Sequence, residues 1–337
     1  MKILVIQTAF IGDVVLATSF VKRIHQLYPQ AEITFLLRKG NETLFVHHPH
    51  IKKIVIWDKK KKWKSFFSII KELRSTKFDY LFNLQRYFTT GLFSLFLRAD
   101  QKIGFHNNPL SFFFDKFVIH KIPHLTHEKK ILHEVSRNDQ LLQVGFFAPE
   151  ATLDELKPEI FLTQKEYNKV AQWQDQEYIV MAPSSVWFTK MWPLQNWKDL
   201  VKKLKIKILI IGSPEEFKRA EEIKADLRHV ENLCGKLSLI ESAALIQKAR
   251  VAVVNDSAVL HIASAMNTPT LAIFCSTIKE FGYFPLSDQN KVFEVSDLKC
   301  RPCGLHGHKT CPKFHFDCAK IDNLLLESEI KKYFAIN

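Results

Sequence analysis

Val251-Ala-Val-Val-Asn-Asp-Ser-Ala-Val-Leu-His-Ile-Ala-Ser-Ala-Met-Asn-Thr-Pro-Thr-Leu-Ala-Ile-Phe274 is the segment around which the whole chain is organised. The apolar run 251–254 predicts a buried strand, 255–257 a turn with a helix N-cap, 258–266 a helix, and 270–274 the next strand. A strand, a helix and a strand in this order are typical of a parallel sheet. The sequence therefore predicts an α/β fold.

The polar turn in this stretch is a candidate ligand site. In a parallel sheet, the turn after a strand lies at the carboxyl edge, where the first N–H groups of the next helix point outward and attract phosphates. Asp256 and Ser257 are therefore candidate binding residues, although both are also common helix caps. His261 follows Ser257 by one helical turn, so the two side chains share a face.

The rest of the chain alternates apolar strands with helices in two series. We predict strands at 2–6, 33–37, 51–57, 80–84 and 102–105, and then at 178–181, 207–211, 251–254 and 270–274. The predicted helices are 14–27, 65–75, 88–97, 128–144, 197–204, 217–227, 238–248, 258–266 and about 318–334. The polar, proline-containing segment 147–158 has the composition of a linker.

These series predict two doubly wound, Rossmann-like halves with a cleft between them. The N-terminal domain is predicted to span residues 1–155, the C-terminal domain 156–318, and a final helical segment 319–337. A length of 337 residues suits two domains better than one core.

The bulk composition is that of a soluble globular protein, with 47% hydrophobic and 25% charged residues. No apolar run reaches the roughly 18 residues needed to span a bilayer. The first residues lead into a strand rather than into a secretory leader. We therefore expect a cytoplasmic protein.

The formal net charge is +13, and most of the excess lies in the first half of the chain. Between residues 52 and 64, lysines alternate with aromatic residues, and two phenylalanines follow at 66 and 67. Such a basic run can contact nucleic acid, lie on an anionic membrane surface, or be a solvated loop.

The first loop, Gln-Thr-Ala-Phe-Ile-Gly-Asp at residues 7–13, joins the first strand to the first helix. It has one glycine instead of the Gly-x-Gly-x-x-Gly pattern, so we expect no dinucleotide cofactor there. Asp13 lies at the start of the helix, facing the crevice between strands. An acid at this position can act on a ligand or simply stabilise the helix dipole.

Four cysteines follow the last strands, with histidines between them: Cys300, Cys303, Cys311 and Cys318. A Cys-x-x-Cys pair followed by two more cysteines can bind zinc, although the later spacing forms no second close pair. Zinc, a disulfide and reduced cytosolic thiols are all compatible with this pattern.

Three motifs together resemble glycosyltransferase family 9, the bacterial heptosyltransferases that transfer heptose from ADP-heptose to the inner core of lipopolysaccharide. The strand 2–6 with Ile-Gly-Asp-Val at 11–14 resembles the family's N-terminal motif. Pro-Ser-Ser-Val-Trp-Phe-Thr-Lys-Met-Trp-Pro at 183–193 is similar to its phosphate loop, and Asn-Asp-Ser-Ala-Val-Leu-His at 255–261 to its donor motif. The resemblance covers nearly the whole chain.

The resemblance implies a GT-B architecture and transfer with inversion at the anomeric carbon, without a metal ion or another cofactor. Such a transfer needs a base for the attacking hydroxyl, and positive charge or hydrogen-bond donors for the leaving diphosphate. Carried over to this sequence, Asp13 would be the general base and Lys190 would stabilise the diphosphate. The substrate-binding residues would be Gly12, Ser184, Ser185, Glu216, Leu237, Asp256, Ser257, Ala258, Val259 and His261.

The implied partners are an ADP-sugar donor, held by the C-terminal domain, and an anionic lipopolysaccharide core acceptor, held by the N-terminal domain. We also expect peripheral contact with the cytoplasmic face of the inner membrane, and no binding of nucleic acid. Two departures concern the donor: Ala258 and Ser184 stand where the family usually has glycine. The open alternatives are a GT-B transferase with another nucleotide sugar, and a basic nucleic-acid-binding protein.

Overall fold

The computed structural model of the protein describes residues 1–122 and 131–334. The chain forms two compact units, Met1–Phe161 and Leu162–Asn337. Each unit contains one six-stranded parallel sheet, as the alternation of strands and helices predicts. Within the described ranges, no helix is both long and apolar enough to cross a bilayer.

The first unit begins with the strand that the sequence predicts. Its strands are β1 (Lys2–Gln7), β2 (Glu32–Arg38), β3 (Ile51–Trp57), β4 (Lys77–Asn83), β5 (Arg98–Phe105) and β6 (Lys116–Val118). Its described helices are α1 (Ile11–Leu27), α2 (Lys62–Leu73), α3 (Phe88–Phe96) and α4 (Glu134–Phe146). The strand order is β3-β2-β1-β4-β5-β6, so the order reverses between β1 and β4.

The second unit repeats this architecture. Its strands are β7 (Tyr178–Ala182), β8 (Lys207–Ile210), β9 (Val230–Asn232), β10 (Val251–Asn255), β11 (Thr270–Phe274) and β12 (Asn290–Glu294). Its described helices are α5 (Gln164–Val170), α6 (Leu194–Lys203), α7 (Phe217–Lys224), α8 (Leu239–Lys248), α9 (Ala258–Ala265) and α10 (Asn323–Lys332). The order β12-β11-β10-β7-β8-β9 is the same doubly wound order, and it reverses between β7 and β10.

The central strands explain why the apolar runs are continuous rather than alternating. Residues 3–6 of β1 and 251–254 of β10 are completely buried. Strands of parallel sheets are covered by helices on both faces, so every side chain must be apolar. Removing these residues from water stabilises each unit by about 25 cal/mol for each Å² of apolar surface.

Several predicted boundaries differ from the structure. The first helix begins at Ile11, and the last one spans Asn323–Lys332 because the Asp322 side chain caps it by accepting from the Leu324 and Leu325 N–H groups. The sequence did not reveal β6, β9, β12 or α5. The two shortest of these strands have three residues each, which is too few for a periodic pattern. Residues 128–130 of the predicted helix 128–144 lie outside the described residues.

Candidate functional site

The predicted donor residues lie at the point where the strand order of the second sheet reverses. Here β7 and β10 are parallel neighbours, with Ala182 paired to Val254. The loop 183–193 follows β7, and the turn 255–257 follows β10. Because parallel neighbours end at the same edge, residues far apart in the sequence meet there, and ligands of doubly wound sheets bind at this point.

An ion pair joins the two predicted motifs. Lys190 Nζ lies 2.7 Å from Asp256 Oδ2, and the side chains are only 16% and 7% exposed. The Thr277 hydroxyl donates a hydrogen bond of 2.6 Å to the same oxygen. Burial alone would raise the pKa of Asp256, but the charge and hydrogen bond of Lys190 outweigh it and lower that pKa. Asp256 is therefore a carboxylate at neutral pH.

The segment carrying Lys190 is fixed by its neighbour Thr189. The N–H of Thr189 donates to the His308 carbonyl at 3.1 Å, and the His308 N–H donates to the Thr189 hydroxyl at 2.8 Å. The Ser276 N–H donates to the Thr189 carbonyl at 3.2 Å, which ties the loop to the end of β11. Gly307 has a φ of +79°, and a Cβ there would lie 3.0 Å from the Thr189 hydroxyl. The conformation of the loop thus requires a residue without a side chain at position 307.

The turn after β10 has unused hydrogen-bonding capacity. Ser257 is the N-cap residue of α9, but its side chain makes no capping bond. Its hydroxyl and the Asn255 amide nitrogen are buried without a hydrogen-bond partner among the described residues. Leaving a buried polar group unpaired costs about 1–3 kcal/mol. Ser257 thus occupies the N-cap position without a side-chain capping bond, and its hydroxyl is available to a ligand.

The other predicted residues of the two motifs surround this turn. Ser184 is buried, and the Ser185 hydroxyl lies 3.4 Å from the Asp256 carbonyl, to which it donates. Ala258 and Val259 are half-buried in the first turn of α9. His261 is buried, with its ring centroid 6.4 Å from that of Tyr283.

The two less secure donor positions lie farther along the same sheet edge. Glu216 follows β8, where its carboxylate accepts a hydrogen bond of 2.8 Å from the Ser213 N–H in a capping box. Burial raises the pKa of Glu216. Leu237 is half-buried and immediately precedes Ser238, the N-cap of α8. Their predicted roles near ribose and adenine stay predictions.

The predicted base lies at the corresponding point of the first sheet. Gly12 and Asp13 are in the first turn of α1, directly after β1, and both are half-buried. Burial and the nearby charge of Arg38 lower the pKa of Lys59, whereas the charge of Asp13 raises it. Asp13 therefore lies within the electrostatic reach of Lys59, the first residue after Asp58 in the basic run.

The geometry agrees with what the sequence resembles. The family model for glycosyltransferase family 9 (heptosyltransferase) matches residues 66–313. The chain belongs to glycosyltransferase family 9. It is therefore an enzyme, a glycosyltransferase, as the three motifs predicted.

Three similar proteins illustrate the relationship. The lipopolysaccharide core heptosyltransferase OpsX of Haemophilus influenzae is 28% identical over 311 residues, covering 88% of this chain and 85% of the relative. The structure of E. coli ADP-heptose lps heptosyltransferase II has a TM-score of 0.73 at 22% identity, covering 98% of this chain and 100% of that one. E. coli heptosyltransferase WaaC with ADP-2-deoxy-2-fluoro heptose has a TM-score of 0.71 at 18% identity, covering 98% and 99%. The predicted GT-B class, with two Rossmann-like domains, is confirmed.

Sequence reasoning missed Thr277 and Arg301 in this glycosyltransferase. Thr277 follows β11 at the same carboxyl edge, so the rule that selected Asp256 could have found it. The Arg301 guanidinium donates to the Cys275 and Val295 carbonyls at 2.7 and 3.0 Å and to the Glu294 carboxylate at 2.6 Å. No local sequence pattern marks an arginine whose guanidinium donates hydrogen bonds to carbonyl groups at the ends of two strands.

The cysteine-rich segment forms no disulfide, since all six cysteines of the chain are free thiols. Burial and the neighbouring thiols raise the pKa of Cys318 to about 12. Cys303 ties this segment to the residues after β11, because its backbone N–H donates a hydrogen bond of 3.1 Å to the Ser276 carbonyl. In residues 1–122 and 131–334, no group of three His, Cys, Asp or Glu side chains is arranged to hold a metal ion.

Proposed function

We propose that this glycosyltransferase transfers heptose from ADP-heptose to the inner core of lipopolysaccharide, with inversion and without a metal ion. Family membership supports the heptosyl transfer. The acceptor follows from the H. influenzae relative, a lipopolysaccharide core heptosyltransferase. The donor follows from the E. coli enzyme whose structure carries an ADP-heptose analogue.

The observation that carries the proposal is the buried pair of Lys190 and Asp256 beside the N-terminus of α9. An ammonium group has three N–H donors, and Asp256 occupies one of them at 2.7 Å. The others can bind the diphosphate, together with the unpaired Ser257 hydroxyl and the first N–H groups of α9. These groups supply the positive potential that a leaving diphosphate needs.

We assign Asp13 as the general base that accepts the proton of the acceptor hydroxyl. An acceptor hydroxyl attacks the anomeric carbon of heptose from the side opposite the diphosphate, and its proton passes to the Asp13 carboxylate. The bond from the anomeric carbon to the diphosphate oxygen breaks, its electron pair leaves with ADP, and the configuration inverts. Lys59, near Asp13, places positive charge where an anionic core sugar would bind.

The nature of the acceptor determines where the enzyme acts. Lipopolysaccharide core grows on a lipid anchor, so we assign the enzyme to the cytoplasmic face of the inner membrane as a peripheral protein. Nucleic acid is not a proposed partner, because that interpretation gives no role to Asp13 or to the buried pair of the second unit. A transferase for another nucleotide sugar is the second candidate, because Ala258 and Ser184 replace two glycines that approach the phosphates in the family.

Thermal unfolding with ADP, UDP, GDP, CMP and NAD, each at about 1 mM, tests the donor. A ligand at 100 times its Kd stabilises the folded state by about 2.7 kcal/mol, so the correct nucleotide should produce the largest rise in Tm. We expect ADP to do so. A larger rise with UDP or GDP would favour the second candidate, and no rise with any nucleotide would refute the donor site.

Transfer from ADP-heptose to core acceptors that carry no heptose, one or two heptoses, with and without EDTA, tests the chemistry. We expect equal rates, and a product whose new anomeric bond has the opposite configuration to the donor by NMR. Loss of activity in EDTA with recovery on adding a divalent cation would refute the metal-independent mechanism. Retention of configuration would refute direct displacement.

A further inference from the structure

Three exposed aromatic side chains of the first unit pack around one buried ring. Trp63 and Phe67 on α2 and Phe96 on α3 are 51%, 65% and 52% exposed. Their ring centroids lie 5.9, 5.5 and 6.2 Å from that of Phe66, which is buried beneath them. We call these three residues the aromatic patch. Contiguous exposed apolar surface of this kind marks an interaction site more often than scattered apolar residues do.

More exposed aromatic side chains lie on a turn that packs against α3. The helix α3 has no charged residue, and the 3₁₀ turn Ser111–Phe113 packs against it. Phe112 and Phe113 on this turn are exposed, and their ring centroids are 4.2 Å apart. Exposed apolar side chains therefore occur on both helices and on the turn that packs against α3.

A group of unpaired lysines borders the aromatic patch. This lysine cluster consists of Lys60, Lys61, Lys62 and Lys64, all of them exposed. Across the described parts of the chain, none of the four takes part in an ion pair. Two lysines of the preceding strand β3 do form ion pairs: Lys52 with Glu32 at 2.5 Å and Lys53 with Glu72 at 2.7 Å.

The position of the lysine cluster is also electrostatically unfavourable in the isolated protein. It lies at the N-terminus of α2, whose first turn has no acidic residue and whose N-cap, Lys61, makes no side-chain cap bond. The positive end of a helix dipole repels cations and attracts anions. Lys62 Nζ lies 5.1 Å from the centroid of the Trp63 ring, which joins the cluster to the aromatic patch. An anionic partner would relieve this concentration of positive charge.

We propose that the aromatic patch and the lysine cluster dock this enzyme on an anionic lipid bilayer. The rings would lie at the level of the headgroups and the lysines would contact the lipid phosphates. A bilayer fits better than nucleic acid because charge and apolar surface are segregated, with lysines at one end of α2 and an uncharged α3 beside it. The inference rests on the proposed function in one respect, that the acceptor is anchored in a membrane.

Sedimentation with lipid vesicles tests the docking surface. Vesicles of phosphatidylcholine with about 30% phosphatidylglycerol are compared with pure phosphatidylcholine at an ionic strength of about 0.1 M. We expect wild-type protein to bind the anionic vesicles. The triple variant Lys60→Gln, Lys61→Gln, Lys64→Gln should bind about 10²-fold more weakly, since each lysine near an anionic surface contributes about fivefold.

A matched control is the triple variant Lys52→Gln, Lys53→Gln, Lys77→Gln. It loses the same charge, but its three lysines are engaged with Glu32, Glu72 and Asp100. We expect its vesicle binding to stay close to that of wild type. An equal loss in both triple variants would overturn the proposal, because net charge alone would then explain the binding.

A second variant tests the aromatic patch. Trp63→Ser with Phe67→Ser should weaken binding to anionic vesicles by about tenfold, with the Tm nearly unchanged because both side chains are exposed. Unchanged vesicle binding would overturn the role of the patch. Binding of random duplex DNA without binding of anionic vesicles would overturn the choice of partner.

Heptose transfer to a deacylated, water-soluble core acceptor separates this inference from the proposed function. The docking variants should transfer at the wild-type rate, since none of their residues contacts the assigned donor or base. If wild-type protein binds anionic vesicles through this surface but transfers no heptose, the proposed function fails and the docking surface stands. If transfer occurs but wild-type protein does not bind the anionic vesicles, only the docking surface fails.

Discussion

Replacing Lys190 by methionine tests the ion pair of Lys190 and Asp256 in the proposed donor site. Methionine keeps an apolar stem of similar length and removes the charge of Lys190, so Asp256 would be left as a buried carboxylate with only the Thr277 hydroxyl and the charge of His261 acting in its favour. Removing one partner of a buried ion pair costs about 3–5 kcal/mol. Asp256 is buried, Lys190 is partly exposed and the Thr277 hydrogen bond at 2.6 Å persists, so we expect the lower end of this range, about 3 kcal/mol.

The effect should depend on pH in opposite ways in the two proteins. In wild type, burial alone would raise the pKa of Asp256, but Lys190 more than compensates and holds that pKa below its usual range. The carboxylate therefore stabilises the fold above its unfolded pKa, and this contribution is lost as the pH falls through the folded value. In Lys190→Met burial is no longer opposed by the ammonium, so the pKa of Asp256 should rise. The destabilisation should then be largest at neutral pH and decrease toward pH 5.

Urea and thermal unfolding between about pH 5 and 8 measure this difference. For a unit of this size, about 3 kcal/mol corresponds to a fall in Tm of roughly 6–12 °C. The double variant Lys190→Met, Asp256→Asn removes the unpaired charge and should recover most of the stability at neutral pH. A single variant as stable as wild type, or a double variant no better than the single one, would refute this account.

Donor binding distinguishes the structural part of Lys190 from its proposed chemical part. Lys190→Met should weaken ADP binding, and the double variant should not restore it, because no ammonium is available for the diphosphate. Recovery of ADP affinity in the double variant would mean that Lys190 only holds Asp256. The assignment of Lys190 to the leaving group would then fail.

Two further substitutions address single residues of the two units. Asp13→Asn should lower turnover by about 10²-fold or more, the usual scale for a general base, with ADP affinity nearly unchanged; turnover equal to wild type would end its assignment as the base. Ser257→Ala should leave the Tm unchanged or slightly higher, because the Ser257 hydroxyl has no partner, yet raise the Kd for ADP by about 3- to 10-fold, the usual worth of one hydrogen bond. A lower Tm with unchanged ADP affinity would show that the hydroxyl serves the fold instead.

The sequence was sufficient for the class of fold and for selecting the candidate binding positions. An apolar run such as 251–254, bounded by turn residues and followed by a helical pattern, predicts a strand covered on both faces, and the polar residues directly after such a strand lie at a sheet edge. The same local rule selected Asp256, Ser257 and Asp13. Because such patterns come from the period of a strand or a helix, a single sequence contains them in full.

The tertiary structure decided which of these residues meet. Lys190 and Asp256 form a pair only because β7 and β10 are neighbours at the reversal of strand order, which no local period encodes. Thr277 joins them from a third strand, β11. The ion pairs of the lysines could not be predicted from the sequence either. The lysines of residues 52–64 look alike in sequence, but the two on β3 pair with carboxylates and those at the start of α2 do not. The partner of a charge is fixed by the packing of distant elements, and that packing exists only in the folded chain.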